Sequence, residues 1–176
     1  MQFTTLLLTL AATLQATTAL PTTASTCQRV RSPASMLNIA NAQPRIPSYF
    51  STQTITFTIP ATARGACALI ADFPANYTIV DYNVQHGSTQ GPIKINVIDV
   101  NGPAPNSIVG TVGFPSAMPG QKTKTAAKLT INSFACREKM TFRFESTGGD
   151  RSIQYYTGEV GFEQTDKVGL FVEHSC

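Results

Sequence analysis

Thr54-Ile55-Thr56-Phe57-Thr58-Ile59-Pro60 is the stretch whose reading decides the fold. Ile55, Phe57 and Ile59 alternate with Thr54, Thr56 and Thr58, so a strand places three large apolar side chains on one face and three hydroxyls on the other. Pro60, which has no N–H to donate, stops the run. Working outward, the same period of two recurs at short intervals. Residues 66–73 carry Cys67, Leu69, Ala71 and Phe73 on one face and end at Pro74. Residues 79–84 lead to Gly87, and 93–100 set Ile93, Ile95 and Val97 against Lys94, Asn96 and Ile98 before the Asn101-Gly102-Pro103 turn. Residues 108–114 are interrupted by Gly110 and Gly113, which predicts a bulge or a close backbone approach. Residues 127–134 and 140–145 alternate again, the latter with Met140, Phe142 and Phe144 on one side. Gly148-Gly149-Asp150 turns the chain into 152–157, and 168–172 closes the domain.

About eight to ten short strands bounded by Pro, Gly and Asn, with no helix-period segment, predict an all-β antiparallel β-sandwich, with a jelly-roll-like arrangement as the alternative. No internal repeat is visible, which argues against propellers and solenoids. Residues 20–50 are rich in Thr, Ser, Ala, Asn and Pro, with Met36, Leu37 and Ile39 as their only apolar cluster. They read as an extended N-terminal arm held by Cys27, which leaves 51–176 as the sandwich domain.

Residues 1–19 read as a signal peptide. Leu6, Leu7, Leu8, Leu10, Ala11, Ala12 and Leu14 form its apolar stretch, and Thr17, Thr18 and Ala19 are small enough for peptidase cleavage. Only the free amine supplies positive charge there. No second apolar run approaches the roughly 18 residues that cross a bilayer. The polar ending Glu173-His174-Ser175-Cys176 lacks the hydrophobic tail of a C-terminal lipid anchor. The expected location is therefore extracellular or the cell wall, with no membrane span.

Thirteen Lys plus Arg against ten Asp plus Glu leave a net charge of +3. Arg29, Arg31, Arg45 and Arg64 precede the first acid, Asp72, and Lys122, Lys124 and Lys128 form a second cluster. Acidic polysaccharide or anionic lipid would suit such clusters, but solvation of loops is the plainer expectation. Nucleic acid is not expected, because no aromatic-basic recognition motif occurs. The four cysteines, Cys27, Cys67, Cys136 and Cys176, are too widely spaced for a zinc site built on close pairs, so they read as disulfides. Three connectivities are open, and long closed loops of this kind stabilise by about 3–5 kcal/mol each on the chain-entropy argument.

Several of these runs also appear together in a known family. Thr56-Phe57-Thr58-Ile59-Pro60, then Cys67-Ala68-Leu69-Ile70-Ala71-Asp72-Phe73-Pro74, then Phe134-Ala135-Cys136 with Met140-Thr141-Phe142-Arg143-Phe144-Glu145, and finally Val168-Gly169-Leu170-Phe171-Val172, resemble the But-two C-terminal-domain-like proteins of fungi. The resemblance spans roughly Gln53 to Val172. It implies a secreted or surface-associated β-sandwich with no established catalytic mechanism, and it implies that Cys67 pairs with Cys136. Cys27 and Cys176 lie outside the shared pattern, and their pairing follows by remainder.

Catalytic candidates are few. His86 lies beside Gly87-Ser88 in a polar loop, His174 is close to the C-terminus where a frayed backbone would position a base poorly, and no G-x-S-x-G elbow occurs. Asp72, Asp81, Asp99 and Asp166 are carboxylates of the type a glycosidase pairs, yet none sits in a distinctive motif. Asp150 serves turn geometry and matches no calcium loop. No catalytic residue, metal or cofactor is assigned. Asn76-Tyr77-Thr78 is the single N-glycosylation sequon, placed on a loop at a strand end, where a glycan would send a partner elsewhere. Tyr77, Tyr82, Phe114, Tyr155 and Tyr156 are ring candidates for a partner, weakened by the absence of Trp. These readings predict a secreted, non-catalytic binding module for wall polysaccharide or an extracellular protein. The alternatives are a secreted hydrolase acting on wall polysaccharide and a structural wall component.

Overall fold

A computed structural model describes residues 27–44, 49–85, 88–89, 93–115, 122–147 and 155–176. The predicted signal peptide and the Gly148-Gly149-Asp150 turn lie outside them. Among the described residues every regular element is a strand: β1 (Gln28–Arg31), β2 (Met36–Pro44), β3 (Tyr49–Phe50), β4 (Thr52–Thr58), β5 (Ala66–Phe73), β6 (Val80–Gln85), β7 (Ser88–Thr89), β8 (Lys94–Asp99), β9 (Ser107–Gly113), β10 (Ala127–Ala135), β11 (Lys139–Ser146), β12 (Tyr155–Glu163) and β13 (Gly169–His174). They form three open sheets, ordered β1-β13-β5-β10, β4-β11-β8-β9 and β3-β2-β12-β6-β7, with antiparallel pairing throughout. The fold is an antiparallel β-sandwich.

The stretch around Phe57 behaves as its alternation dictates. Ile55, Phe57 and Ile59 are buried, and they face Met140, Phe142 and Phe144 of β11, also buried, across a register that pairs Met140 with Phe57 and Phe142 with Ile55. On the opposite face Thr56 and Thr141 share a hydroxyl hydrogen bond of 3.0 Å. β5 sends Cys67, Leu69, Ala71 and Phe73 into the same core. Phe73 meets Phe162 edge-on at 4.8 Å and Phe114 at 5.9 Å, while Phe134 meets Phe142 at 5.2 Å, so rings tie all three sheets together. The Cys67–Cys136 disulfide, with Cα atoms 5.0 Å apart, closes one end of this interior. Cys27–Cys176, with Cα atoms 4.4 Å apart, joins the beginning of β1 to the end of β13.

Two boundaries move. Part of the segment read as an arm is built into the sandwich: β1 adds an edge strand beside β13, and β2 pairs along its whole length with β12. Leu37 and Ile39 are fully buried, because on β2 they alternate with Asn38 and point into the core; two apolar positions were too short a run to mark a strand by pattern. The sandwich therefore begins at β1, not at residue 51. The strand expected over 152–157 is described from Tyr155 and runs on to Glu163; Gly158 and Gly161 had masked its second half. The interruption at Gly110 is a bulge, since Val97 faces Gly110 while Ile98 faces Ile108. A methyl group at Gly110 would come within 3.1 Å of Ile131, so β9 also passes close to β10 there.

Candidate functional site

β2 and β12 alternate between buried and outward positions where their side chains are described, and Val80 opens β6 beside them. Leu37, Ile39, Val160 and Phe162 point into the core. Asn38, Gly161 and Val80 lie in one row across the outer face, and Met36 lies opposite Glu163 in the next. Gly161 has no side chain between Asn38 and Val80, so the row is hollow in the middle. The result is a groove of about 480 Å³ with Gly161 at its floor, walled by Met36, Asn38, Val80 and Glu159 and bounded at one end by Asn76, Tyr77 and Lys122. Met36 and Val80 are 47% and 37% exposed, two of the three large apolar side chains left in the open among the described residues; the third, Ile108, is on β9.

The end wall is held by a set of hydrogen bonds. Asn76 turns with φ 61°, a conformation Asn tolerates better than most residues. Its N–H donates to the carbonyl of Thr123 at 2.8 Å, the Tyr77 N–H donates to the Thr123 hydroxyl at 3.0 Å, and that hydroxyl donates to the carbonyl of Pro74 at 2.7 Å. The Tyr77 hydroxyl crosses to β12 and donates to the carbonyl of Glu163 at 2.7 Å. Burial, with the Glu163 carboxylate as a lesser cause, pushes the Tyr77 phenol above its ordinary range, so it stays a proton donor at neutral pH. On the side wall the Asn38 amide donates to Glu159 at 3.2 Å. Gln53 accepts from the Asn38 N–H and donates to the carbonyl of Met36, which pins β2 beside β4.

Such a site offers aliphatic and ring surface beside amide, carboxylate and ammonium groups. It suits a ligand with apolar faces and hydroxyl edges. No protein-family profile, curated protein or solved structure matches this chain. The functional reading therefore rests on the groove and on where the candidate residues fall.

Those residues are dispersed. Asp72 holds Arg29 at 2.8 Å, Asp166 holds Arg31 at 2.6 Å, and Asp99, 2% exposed, accepts two hydrogen bonds from one Arg137 nitrogen at 2.8 and 3.0 Å. Each carboxylate sits on its own cation, and the structure does not bring the three together. Among the described residues no three His, Cys, Asp or Glu side chains gather as a metal site, and no helix is long and apolar enough to cross a membrane. His86, Asp150 and the side chains of Asp81, Tyr82, Tyr155 and Tyr156 lie outside the described residues, as does Arg45.

Two expectations need correction. His174 is not on a frayed end: it is buried on β13 opposite Gln28, its Nδ1 lies 2.9 Å from the Ser175 hydroxyl, and Ser175 is held to Arg64 through two backbone-directed hydrogen bonds. The disulfide at Cys176 and the β1 pairing anchor it, and neither is visible in a local pattern. The Arg29 cluster is not simply solvated either. Arg29 lies 5.3 Å over the Phe171 ring and donates to Glu173 at 2.9 Å, where Lys128 also donates at 2.8 Å. Burial works against the Glu173 charge, but these two cations overcome it and hold its carboxyl below the usual range. Sequence reading missed Val80, Glu159 and Gly161 as site residues. Their signal was the outward half of each strand's alternation, which becomes a surface only once β2, β12 and β6 are known to be neighbours.

Proposed function

We propose that the chain is a secreted, non-catalytic binding module whose outer groove takes a wall polysaccharide. The groove carries this reading: exposed Met36 and Val80 give the apolar contact that a sugar ring's C–H face needs, and Asn38, Glu159 and Lys122 give donors and acceptors for hydroxyls. Two disulfides and the absence of a membrane-crossing helix among the described residues agree with export, as does the apolar leader. Membership of the But-two C-terminal-domain-like family belongs to the same proposal, supported by the order of its motifs and by the Cys67–Cys136 bond.

The test is retention of oxidised protein on an array of wall polysaccharide fragments, run with and without N-linked sugar. Retention lost in both Met36→Ala and Glu159→Gln supports the reading. Release of new reducing ends from a bound polysaccharide overturns it in favour of a hydrolase, and retention of an extracellular protein alone moves the partner class.

A further inference from the structure

The sequon stands in the groove's own wall. Asn76 and Thr78 both line it, together with Tyr77, Met36 and Val80. Asn76 is exposed, and its loop is fixed by the Thr123 hydrogen bonds, the Tyr77–Glu163 bond and the bridge between Thr78 and Lys122. A sugar attached to the Asn76 amide therefore leaves the protein at the mouth of a cavity that suits a sugar. Attachment transfers the anomeric carbon of an oligosaccharide from a lipid-linked pyrophosphate donor to Asn76 Nδ2. The C1–N bond forms, the C1–O bond to pyrophosphate breaks, the lipid pyrophosphate leaves, and the amide loses one proton.

We propose that the groove's resident occupant is the chain's own N-linked glycan, whose first hexosamines lie on Met36, Val80 and Tyr77 and compete there with external polysaccharide. This rests on the groove being a saccharide cradle, and it adds the regulation of that site: the modified chain is closed and the unmodified chain is open. The physical reason is tethering. A sugar linked at the rim acts at a millimolar effective concentration, enough to fill a weak site that free sugar at lower concentration leaves empty. The hydrogen-bonded loop sets the direction of exit, so less ordering is left to oppose docking. Glu159 and Lys122 remain at the sides for hydroxyl contacts.

The experiment reads Met36 directly. Glycosylated protein, protein trimmed to its first sugar, and the Thr78→Ala and Asn76→Asp variants are exposed to dilute hydrogen peroxide, and sulfoxide formation at Met36 is followed by peptide mass spectrometry. Asp is chosen at position 76 because, like Asn, it tolerates the positive φ there. Oxidation about fourfold slower in the sugar-bearing forms than in either variant is the expected result, as for a largely filled millimolar site. In denaturant the difference should vanish, since Met36 and Asn76 are then far apart along the chain. Equal oxidation in the folded forms, an Asn76 found without sugar, or protection that persists in denaturant overturns the inference. The array separates its failure from that of the proposed function. Met36 protection with polysaccharide retained by neither form upholds the resident glycan and removes the external ligand. Retention by all forms without protection does the reverse.

Discussion

Two outward sheet faces of this sandwich treat their apolar side chains in opposite ways. On the β1-β13-β5-β10 sheet, Phe171 and Ile70 occupy outward positions, yet they are 1% and 0% exposed. Arg29 lies across the Phe171 ring and is held there by Glu173 and Asp72, with Lys128 completing the group around Glu173. On the β3-β2-β12-β6-β7 sheet, Met36 and Val80 occupy outward positions and remain in the open, because Gly161, which lies beside Val80 and opposite Asn38, has no side chain to cover them, and the Glu159 carboxylate accepts from the Asn38 amide on the wall. Outward apolar residues are thus not alike: a guanidinium with two carboxylate partners covers Phe171, and a missing side chain leaves Met36 and Val80 available. An exposed apolar patch of this kind marks a binding surface more often than scattered single residues do.

The sharpest way to break this comparison is to open the sealed face. Phe171→Ala should lower unfolding free energy in urea by about 3–5 kcal/mol, as for a core ring, although the residue lies on an outward face. A loss under about 1 kcal/mol would place Phe171 with ordinary surface residues. Next in size, Glu173→Gln should cost about 1–3 kcal/mol by leaving Arg29 and Lys128 short of a partner. Its pH dependence is specific. The folded-state pKa lies below the ordinary value of 4.5, so the contribution of Glu173 is complete above about that pH and is lost as pH falls through the lower folded value. Acid unfolding of Glu173→Gln should lack that part of the slope, and identical acid limbs in urea titrations would contradict the network.

Smaller effects sharpen the open side. Tyr77→Phe removes the hydroxyl bond to Glu163 and should cost about 1 kcal/mol. Because the folded-state phenol pKa is raised, its contribution is intact below the ordinary value of 10.0 and is lost as pH rises through the higher folded value. The variant should therefore show a flatter alkaline limb in thermal melts followed between neutral and alkaline pH. Smallest of all, Met36→Ala should change stability by no more than about 0.5 kcal/mol while abolishing saccharide retention. A stability loss comparable to that of Phe171→Ala would mean that the two faces do not differ.

Legibility followed the length of each pattern. β4, β5, β8 and β11 were readable because three or more apolar residues alternate in each, and Pro60, Pro74 and Asn101-Gly102 mark the ends of the first three. β2 was not, because Leu37 and Ile39 are only two positions, and their burial depends on β12, far along the chain. The sequon at Asn76 was legible as a motif, and its loop placement followed from Pro74. That it opens into a groove was not, since the groove joins side chains from β2, β12 and β6 with Lys122, and no local window contains them.

By itself the sequence determined what depends on neighbours along the chain: the period-two strands, their turn residues, the oxidised cysteine set and the acceptor motif. Tertiary structure alone decided which strands lie side by side, that Arg29 caps Phe171 while Gly161 leaves Met36 and Val80 open, and that His174 is buried on β13 opposite Gln28. The physical reason is that pleat and turn preferences act over a few residues. Burial and the pairing of charges depend on contacts between distant segments, such as Arg29 with Glu173, which exist only after the sheets have formed.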